Sequence, residues 1–263
     1  MSDPGLAAHW RAIGAAGRAA LIPFFTAGYP SVHLSLEALR GAAAAGADFI
    51  EVGLPFSDPL ADGPTIQRAT QAALDGGMTV ARALALVREA ALPVPVILMT
   101  YLNPVRAYGT RRFATDARAA GAAAVLLTDA PAGADLEAEA AIAEAELDLI
   151  RLVAPTTTDA RLRDAVGGGS GFVYLITRLG VTGVRDAVPP DLAAQVARVR
   201  RATSLPVAAG FGIGTPAQAA AAARVADGVV VGSAIVEALG RDGVPGATAL
   251  VREMAAAVHG ARA

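Results

Sequence analysis

The chain has 263 residues, of which 54% are hydrophobic and 17% charged, and its formal net charge is −2 at pH 7. This composition is typical of a globular protein with ample core material, and it excludes an intrinsically disordered chain. The near-neutral charge balance argues against a nucleic acid or an anionic membrane surface as a partner.

Short apolar runs alternate along the chain with alanine-rich stretches of helical periodicity, and a short helix over residues 5–17 is expected before the first run. The apolar runs predict eight strands, over Leu21–Thr26, Asp48–Leu54, Val94–Tyr101, Ala123–Thr128, Asp148–Ala154, Phe172–Thr177, Leu205–Gly210 and Gly228–Gly232. The helical patterns that follow them span Ser31–Ala45, Pro64–Asp75 with Val80–Ala91, Thr110–Ala120, Ala134–Glu146, Asp159–Val166, Pro190–Ala202, Pro216–Arg224 and Ala234–Leu239.

Strands that alternate with helices predict a parallel sheet covered by helices, and eight repeats in about 250 residues are the size of a (β/α)8 TIM barrel. A doubly wound open sheet is the alternative, but the segment Ala27–Pro30 after the first strand lacks its G-x-G-x-x-G fingerprint. Because no linker or composition shift divides the chain, we expect residues 1–263 to form a single TIM-barrel domain. Its active site would then lie on the loops that follow the strands.

Several residue types are missing, and their absence narrows the chemistry. There is no Cys and no Lys, which excludes disulfides, thiol nucleophiles, lysine Schiff bases, a lysine-bound pyridoxal cofactor and a Walker A phosphate loop. The three His, at positions 9, 33 and 259, lack metal-ligand spacing and are interpreted as surface residues, so no metal site is expected. No transmembrane span or signal peptide is recognised, which favours a cytoplasmic enzyme.

Two carboxylates near the second strand are candidates for acid–base chemistry. Period-two alternation places Phe49, Glu51 and Gly53 on one face, so Glu51 is expected to point into the barrel with a raised pKa. The alternative is a structural Glu bonded to a neighbouring strand. The proline-rich loop that follows carries two further carboxylates, Asp58 and Asp62. The alternative is that Asp58 only forms a turn and that Asp62 only caps the N-terminus of the next helix.

Glycines follow the sixth, seventh and eighth strands, at Gly180–Gly183, Gly210–Gly214 and Gly232. Such loops let main-chain N–H groups approach an anion at a helix N-terminus, and in barrels the last two commonly form a phosphate site. Tight turns are the alternative explanation. The denser run Gly167–Gly171 precedes a strand, so we expect it on the opposite face of the barrel, away from any ligand.

Two further side chains on strands attract attention. Tyr174 is predicted to point inward with Phe172 and Ile176, either as a core aromatic or as a hydroxyl in the pocket. Arg151 lies within an apolar strand and is expected to snorkel or to pair with a carboxylate, without a catalytic role. From the residues alone, the protein binds a phosphorylated small molecule and moves protons with carboxylates, so isomerases and carbon–carbon lyases both fit.

The run from Glu51 to Gln67, EVGLPFSDPLADGPTIQ, resembles the signature of the tryptophan synthase alpha chain family. The segments Pro23–Pro30, Gly180–Gly183, Gly210–Ile213 and Gly232–Ile235 resemble the family in the same order, so the likeness extends over nearly the whole chain. The resemblance implies cofactor-free retro-aldol cleavage of indole-3-glycerol phosphate to indole and glyceraldehyde 3-phosphate.

The resemblance also implies residue roles. Glu51 would be the acid and base, Asp62 would stabilise positive charge on the indole ring, and Tyr174 would complete the catalytic group. Three further sets match a phosphate cradle, an indole pocket and a mobile loop. They are Gly183, Gly212, Gly232 and Ser233 for phosphate; Phe24, Met99, Leu126, Thr128 and Phe211 for indole; and Thr182 for the loop.

The family works with a beta chain that carries pyridoxal phosphate and receives indole through a tunnel, in a complex of two alpha and two beta chains. Pro55 and Asp58 match the loop that faces this partner. The chain departs from the family pattern at Thr128, Arg151 and Thr177–Leu179. The alternatives are a stand-alone indole-3-glycerol phosphate lyase, a phosphosugar isomerase on the same barrel and a non-catalytic activator of a beta chain.

Overall fold

A computed structural model describes residues 5–177, 189–210 and 212–262. Eight parallel strands close into a barrel in chain order, with the first strand paired to both the second and the eighth. The strands are β1 Ala20–Thr26, β2 Ile50–Gly53, β3 Val96–Thr100, β4 Ala122–Leu127, β5 Asp148–Val153, β6 Val173–Ile176, β7 Val207–Gly210 and β8 Gly228–Val231. The predicted (β/α)8 TIM barrel is therefore confirmed.

Helices follow the strands along the chain, and one further helix precedes the first strand. They are α1 Gly5–Ala15, α2 Val32–Ala44, α3 Pro64–Asp75, α4 Val80–Ala90, α5 Leu102–Tyr108, α6 Thr110–Ala119, α7 Leu136–Glu144, α8 Asp159–Ala165, α9 Leu192–Arg200, α10 Pro216–Ala223 and α11 Ser233–His259. Within the described ranges, no helix has the length and apolar character to cross a membrane.

The last helix corrects the sequence prediction, which ended it at Leu239. Helix α11 runs on to His259 across one non-helical residue, Gly243, which has φ 68° and ψ −167° and precedes Pro245. Gly and Pro are stop signals, but here they produce only a kink. The helix continues because Val251, Met254 and Val258 on its second half are fully buried.

Alternation along the strands separates two apolar layers. On the second strand, Ile50 and Val52 join the outer layer between sheet and helices, whereas Phe49 joins a cluster inside the barrel. The inner cluster contains small side chains such as Ala124 and Ala208. These small residues leave room for a bulky side chain at the N-terminal end of the barrel.

Trp10 of α1 occupies that room. Its ring lies 4.7 Å from the ring of Phe49 and 5.5 Å from that of Phe172, measured between centroids. A Cβ on Gly228 would lie 2.7 Å from the Trp10 ring, so glycine is needed at the start of β8. The tryptophan therefore closes the barrel at the ends where its strands begin.

The run Gly167–Gly171 lies at this closed end, as expected. A Cβ on Gly171 would approach the Leu6 side chain of α1 to 2.8 Å. Arg151 pairs with Glu139 at 2.8 Å and donates through Nε to the main-chain oxygen of Gly167 at 3.1 Å. The expected carboxylate partner of Arg151 is thus confirmed.

Two of the three histidines are not simple surface residues. His259 Nε2 lies 2.8 Å from Oδ2 of the buried Asp48, which also accepts from the main-chain N–H of Leu21 at 2.8 Å. Arg18 completes the group, 2.6 Å from Asp48 Oδ1. Burial alone would raise the pKa of Asp48, but these partners hold it below its ordinary value. His9 packs edge-on against Phe49 at 4.8 Å, and only His33 is well exposed.

Candidate active site

Glu51 lies inside the barrel, on β2 between Phe24 of β1 and Ile97 of β3, and is only 1% exposed. No group in the described part of the chain hydrogen-bonds its Oε1 atom, which argues against the structural alternative. Burial raises the pKa of Glu51 to about 8, and the nearby charge of Asp62 adds to the increase. At neutral pH this carboxyl therefore holds a proton that it can donate.

Asp62 lies on the loop between β2 and α3 and is 8% exposed. The N-cap residue of α3 is Gly63, which makes no side-chain capping hydrogen bond, so the N-cap interpretation of Asp62 is wrong. Its Oδ2 atom instead accepts a hydrogen bond of 3.1 Å from the Tyr101 hydroxyl. Burial raises the pKa of Asp62 to about 6, against the lowering effect of that bond. Near pH 7 the two carboxyls thus differ in charge.

Tyr174 points into the barrel from β6, in the same inner cluster as Phe172 and Ile176, as predicted. Burial raises its pKa, and the charges of Glu51 and Asp62 raise it further. The phenol therefore stays neutral and can donate a hydrogen bond. A glycine on the adjacent strand, Gly210, leaves room for its ring, since a Cβ there would lie 2.3 Å from the hydroxyl.

Apolar side chains surround these polar groups. Phe24 packs with Met99 above the barrel core, and a Cβ on Gly53 would lie 2.5 Å from the Phe24 ring. Leu126 is buried in the inner cluster, and Thr128 follows β4 at the same rim. Phe211 lies outside the described residues. Sequence reasoning missed Leu152, which joins the inner cluster from β5 and follows from alternation with Ile150.

The predicted phosphate cradle is described in part. Gly212 has φ 79°, Gly232 precedes α11 without a side-chain cap, and Ser233 begins that helix. Helix α10, by contrast, closes its own N-terminus with a capping box between Thr215 and Gln218. An anion therefore fits the start of α11 better than the start of α10. Gly183 and Thr182 lie outside the described residues.

The loop expected to face a partner has one buried and one exposed candidate. Pro55 is buried, whereas Asp58 is exposed and accepts a 2.5 Å hydrogen bond from Ser57 Oγ. Leu60 on the same loop is 92% exposed, an unusual position for a large apolar side chain. A groove of about 530 Å³ lies between this loop and α3, lined by residues that include Phe56, Leu60 and Arg68.

Tyr101, which follows β3, is a site residue that sequence reasoning missed. Its position at the same strand end as Asp62's loop was the available signal, because strand ends of a barrel converge on one rim. Within residues 5–177, 189–210 and 212–262, no cluster of three His, Asp or Glu side chains is arranged to hold a metal ion.

Comparisons with known proteins show the family of the chain. The sequence profile described as Tryptophan synthase alpha chain matches residues 11–261. The tryptophan synthase alpha chain of Granulibacter bethesdensis is 49% identical over 259 residues, covering 94% of this chain and 93% of that protein. The one from Acidiphilium cryptum is 52% identical over 227 residues, covering 85% and 82%.

Solved structures give the same answer. A Mycobacterium tuberculosis tryptophan synthase structure has a TM-score of 0.90 and 43% identity, covering 97% of this chain and 98% of that one. Tryptophan synthase subunit alpha from Legionella pneumophila has a TM-score of 0.88 and 33% identity, covering 96% and 97%. Sequence, fold and the paired buried carboxyls lead to one conclusion: the chain belongs to the tryptophan synthase alpha chain family.

Proposed function

We propose that Glu51, Asp62 and Tyr174 carry out the reaction of this alpha subunit, a carbon–carbon lyase that cleaves indole-3-glycerol phosphate to indole and glyceraldehyde 3-phosphate. The observation that carries the assignment is the Glu51 carboxyl, buried inside the barrel with an unpartnered oxygen and a pKa of about 8. Such a group is protonated before the reaction and can serve as acid and then as base.

The proposed steps comprise two proton transfers, both through Glu51, and the cleavage of one carbon–carbon bond. Glu51 donates its proton to indole C3, which places a positive charge on the ring. The ionised carboxylate of Asp62 stabilises that charge at the ring N–H, in a site from which water is largely excluded. Glu51 then accepts the proton of the glycerol hydroxyl as the carbon–carbon bond to C3 breaks. The electron pair of that bond returns to the indole ring and neutralises its positive charge. Glu51 ends as it began.

Substrate binding is assigned to the rest of the site. Phe24, Met99, Leu126 and Thr128 would contact the indole ring, together with Phe211. The amides of Gly212, Gly232 and Ser233, with Gly183, would bind the phosphate at the start of α11, without a cationic side chain. We assign Thr182 to a loop that closes over bound substrate.

The direct test is indole release from indole-3-glycerol phosphate by the purified protein. Glu51→Gln keeps the shape of the side chain but cannot supply a proton, so we expect a loss of at least about 100-fold in kcat. Glu37→Gln, at a half-exposed position on α2, is the matched control and should remain active. A fully active Glu51→Gln protein, or turnover of a pentose phosphate instead, would overturn the proposal.

We further propose a cytoplasmic complex of two alpha and two beta chains, in which this chain needs no cofactor and pyridoxal phosphate is held by the beta chain. The absence of Lys supports that division of labour. The exposed Asp58 and Leu60 support a partner surface on the β2–α3 loop. We take residues 1–263 as one domain.

Size-exclusion chromatography with a beta chain tests the complex. Asp58→Arg should prevent co-elution, whereas Asp75→Arg on the exposed end of α3 should not. A wild-type chain that elutes alone and still cleaves substrate at full rate would instead support a stand-alone lyase. A chain that binds the beta chain but releases no indole would be a non-catalytic activator.

A further inference from the structure

The main chain on both sides of Tyr101 is held by hydrogen bonds. Tyr101 is 4% exposed and lies between β3 and α5 as the N-cap residue of the helix, with φ −110° and ψ 159°. The Leu102 N–H donates to Asp129 Oδ1 at 2.8 Å, and the Thr128 N–H donates to the Thr100 oxygen at 2.9 Å. These bonds tie the residues on either side of Tyr101 to the segment that follows β4.

The side chain of this anchored residue contacts the β2–α3 loop at three places. The Tyr101 ring lies 5.2 Å from the ring of Phe56, near the start of the loop. The Ala61 N–H donates to the Tyr101 hydroxyl oxygen at 3.0 Å, and that hydroxyl donates to Asp62 Oδ2 at 3.1 Å. One phenol therefore holds both the beginning of the loop and its catalytic end.

The direction of the hydroxyl proton follows from these contacts. Ala61 occupies an acceptor position on the phenol oxygen, which leaves the single O–H free to point at Asp62. Among the described residues, the Tyr101 hydroxyl provides the side-chain hydrogen bond to the Asp62 carboxylate. Asp62 is otherwise held through its main chain, where its N–H donates to the Pro59 oxygen at 3.0 Å and its carbonyl accepts from Gln67 at 2.9 Å.

We propose that Tyr101 is a positioning residue that couples the start of the β2–α3 loop, at Phe56, to Asp62 near the end of the same loop, so that the conformation at Phe56 influences where this carboxylate points. The proposal rests on the role proposed above for Asp62. Because the same loop exposes Asp58 and Leu60, a partner that moves the loop would change the reacting end of the site through this phenol.

Electrostatics supports the same view. The bond from Tyr101 lowers the pKa of Asp62, in opposition to burial, which keeps the carboxylate ionised at lower pH. Burial and the neighbouring charge of Asp62 raise the pKa of Tyr101, so the phenol remains a donor over the working range. The hydrogen bond from the Ala61 N–H and a side-chain hydrogen bond with Thr128 act in the opposite sense and lower the pKa of that phenol.

The test is Tyr101→Phe, which removes the hydroxyl but keeps the ring that packs on Phe56. The titration of Asp62 is followed by carbon NMR in protein labelled at the aspartate carboxyl carbon, with the signal assigned by Asp62→Asn. We expect the Asp62 titration to move up by about 0.5 to 1 pH unit, because a stabilising bond to the ionised form is lost. The acid limb of kcat/KM for indole-3-glycerol phosphate should move by the same amount.

Tyr108→Phe is the matched control, because the Tyr108 hydroxyl also donates to a carboxylate, Asp116, at 2.7 Å, but away from the site. It should leave both readouts unchanged. An Asp62 titration that Tyr101→Phe does not move would overturn the proposal, whatever the activity. If the titration moves while neither protein cleaves the substrate, the positioning role stands and the proposed function fails.

Discussion

Tyr174 and Gly210 share one space on adjacent strands. The phenol of Tyr174 reaches across to β7, where a Cβ on residue 210 would lie 2.3 Å from its oxygen and 2.7 Å from its Cζ atom. Residue 210 therefore cannot gain a side chain unless Tyr174 moves or becomes smaller. Gly210 carries no polar side chain, yet its small size is needed for the Tyr174 ring to occupy its position in the site.

The first prediction follows from that contact. Gly210→Ala should lower the free energy of unfolding by about 1 to 3 kcal/mol, because the ring and the new methyl overlap. The measurement is urea denaturation of the single variants and of the double variant with Tyr174→Leu. In the Tyr174→Leu background the cost of Gly210→Ala should fall by more than half. Strictly additive costs would mean that the two residues do not share the space.

The second prediction concerns stability and pH at Glu51. The pKa of Glu51 is about 8 in the folded protein, above its ordinary value, so the folded state binds the proton more tightly than the unfolded state. This carboxyl therefore costs stability progressively as pH rises from its ordinary pKa to about 8. Glu51→Gln removes that dependence. Its stability relative to the wild type should increase from about pH 5 to about pH 8, as measured by urea denaturation. A constant difference over this range would contradict the raised pKa.

The third prediction is the pH profile of catalysis. Asp62 must be ionised and Glu51 protonated, with pKa values of about 6 and about 8, so kcat/KM should be highest between these limits. Each limb should fall about tenfold per pH unit outside them. Asp62→Asn should abolish the acid limb along with most of the activity. A profile that is flat down to about pH 5 would exclude Asp62 as the ionised partner.

The fourth prediction concerns the closed end of the barrel. Trp10→Ala should cost about 3 to 5 kcal/mol, because it leaves a large cavity between Phe49 and Phe172. Circular dichroism during urea denaturation measures the loss. Tryptophan fluorescence cannot be used for this variant, because Trp10 is the only tryptophan in the chain. Leu136→Ala, at a side chain that is 72% exposed, is the control and should cost little. A small effect of Trp10→Ala would show that α1 contributes little to the barrel.

The fifth prediction concerns acid stability at Asp48. Its pKa is lowered in the folded state, so its contribution is present above the ordinary carboxyl pKa and is lost as pH falls through the lower folded value. Asp48→Asn should therefore destabilise the protein at pH 7 but flatten the loss of stability in acid. Asp75→Asn, at an exposed position, should leave the acid profile unchanged. Equal acid profiles for wild type and Asp48→Asn would contradict the role of the His259–Asp48–Arg18 group.

Sequence reasoning reached the features that depend on local periodicity. Alternation along the second strand placed Glu51 and Phe49 inside the barrel, and the same pattern on the sixth placed Tyr174 there. Alternation works because successive side chains of a strand face opposite sides whatever the rest of the chain does. The eight strands were predicted from short apolar runs, and the glycine run was placed at the closed end because it precedes a strand.

Contacts between distant segments were out of reach. His259 and Asp48 are 211 residues apart, and Tyr101 and Asp62 are 39 apart, so neither pair leaves a local pattern. The second half of α11 was missed for a related reason: its burial against β1 and α2 outweighs the stop signals at Gly243 and Pro245. Tertiary packing decides such cases, and a single sequence does not display it.

The position of Trp10 at the start of the strands also affects how substrate reaches the site. Because Trp10 packs against Phe49 and Phe172 where the strands begin, it closes that end of the barrel, and within the described part of the chain Glu51 is approached from the opposite rim. Substrate entry and product release therefore take place on the side of the barrel that carries the β2–α3 loop. A partner that docks over that rim would therefore affect product release as well as substrate entry.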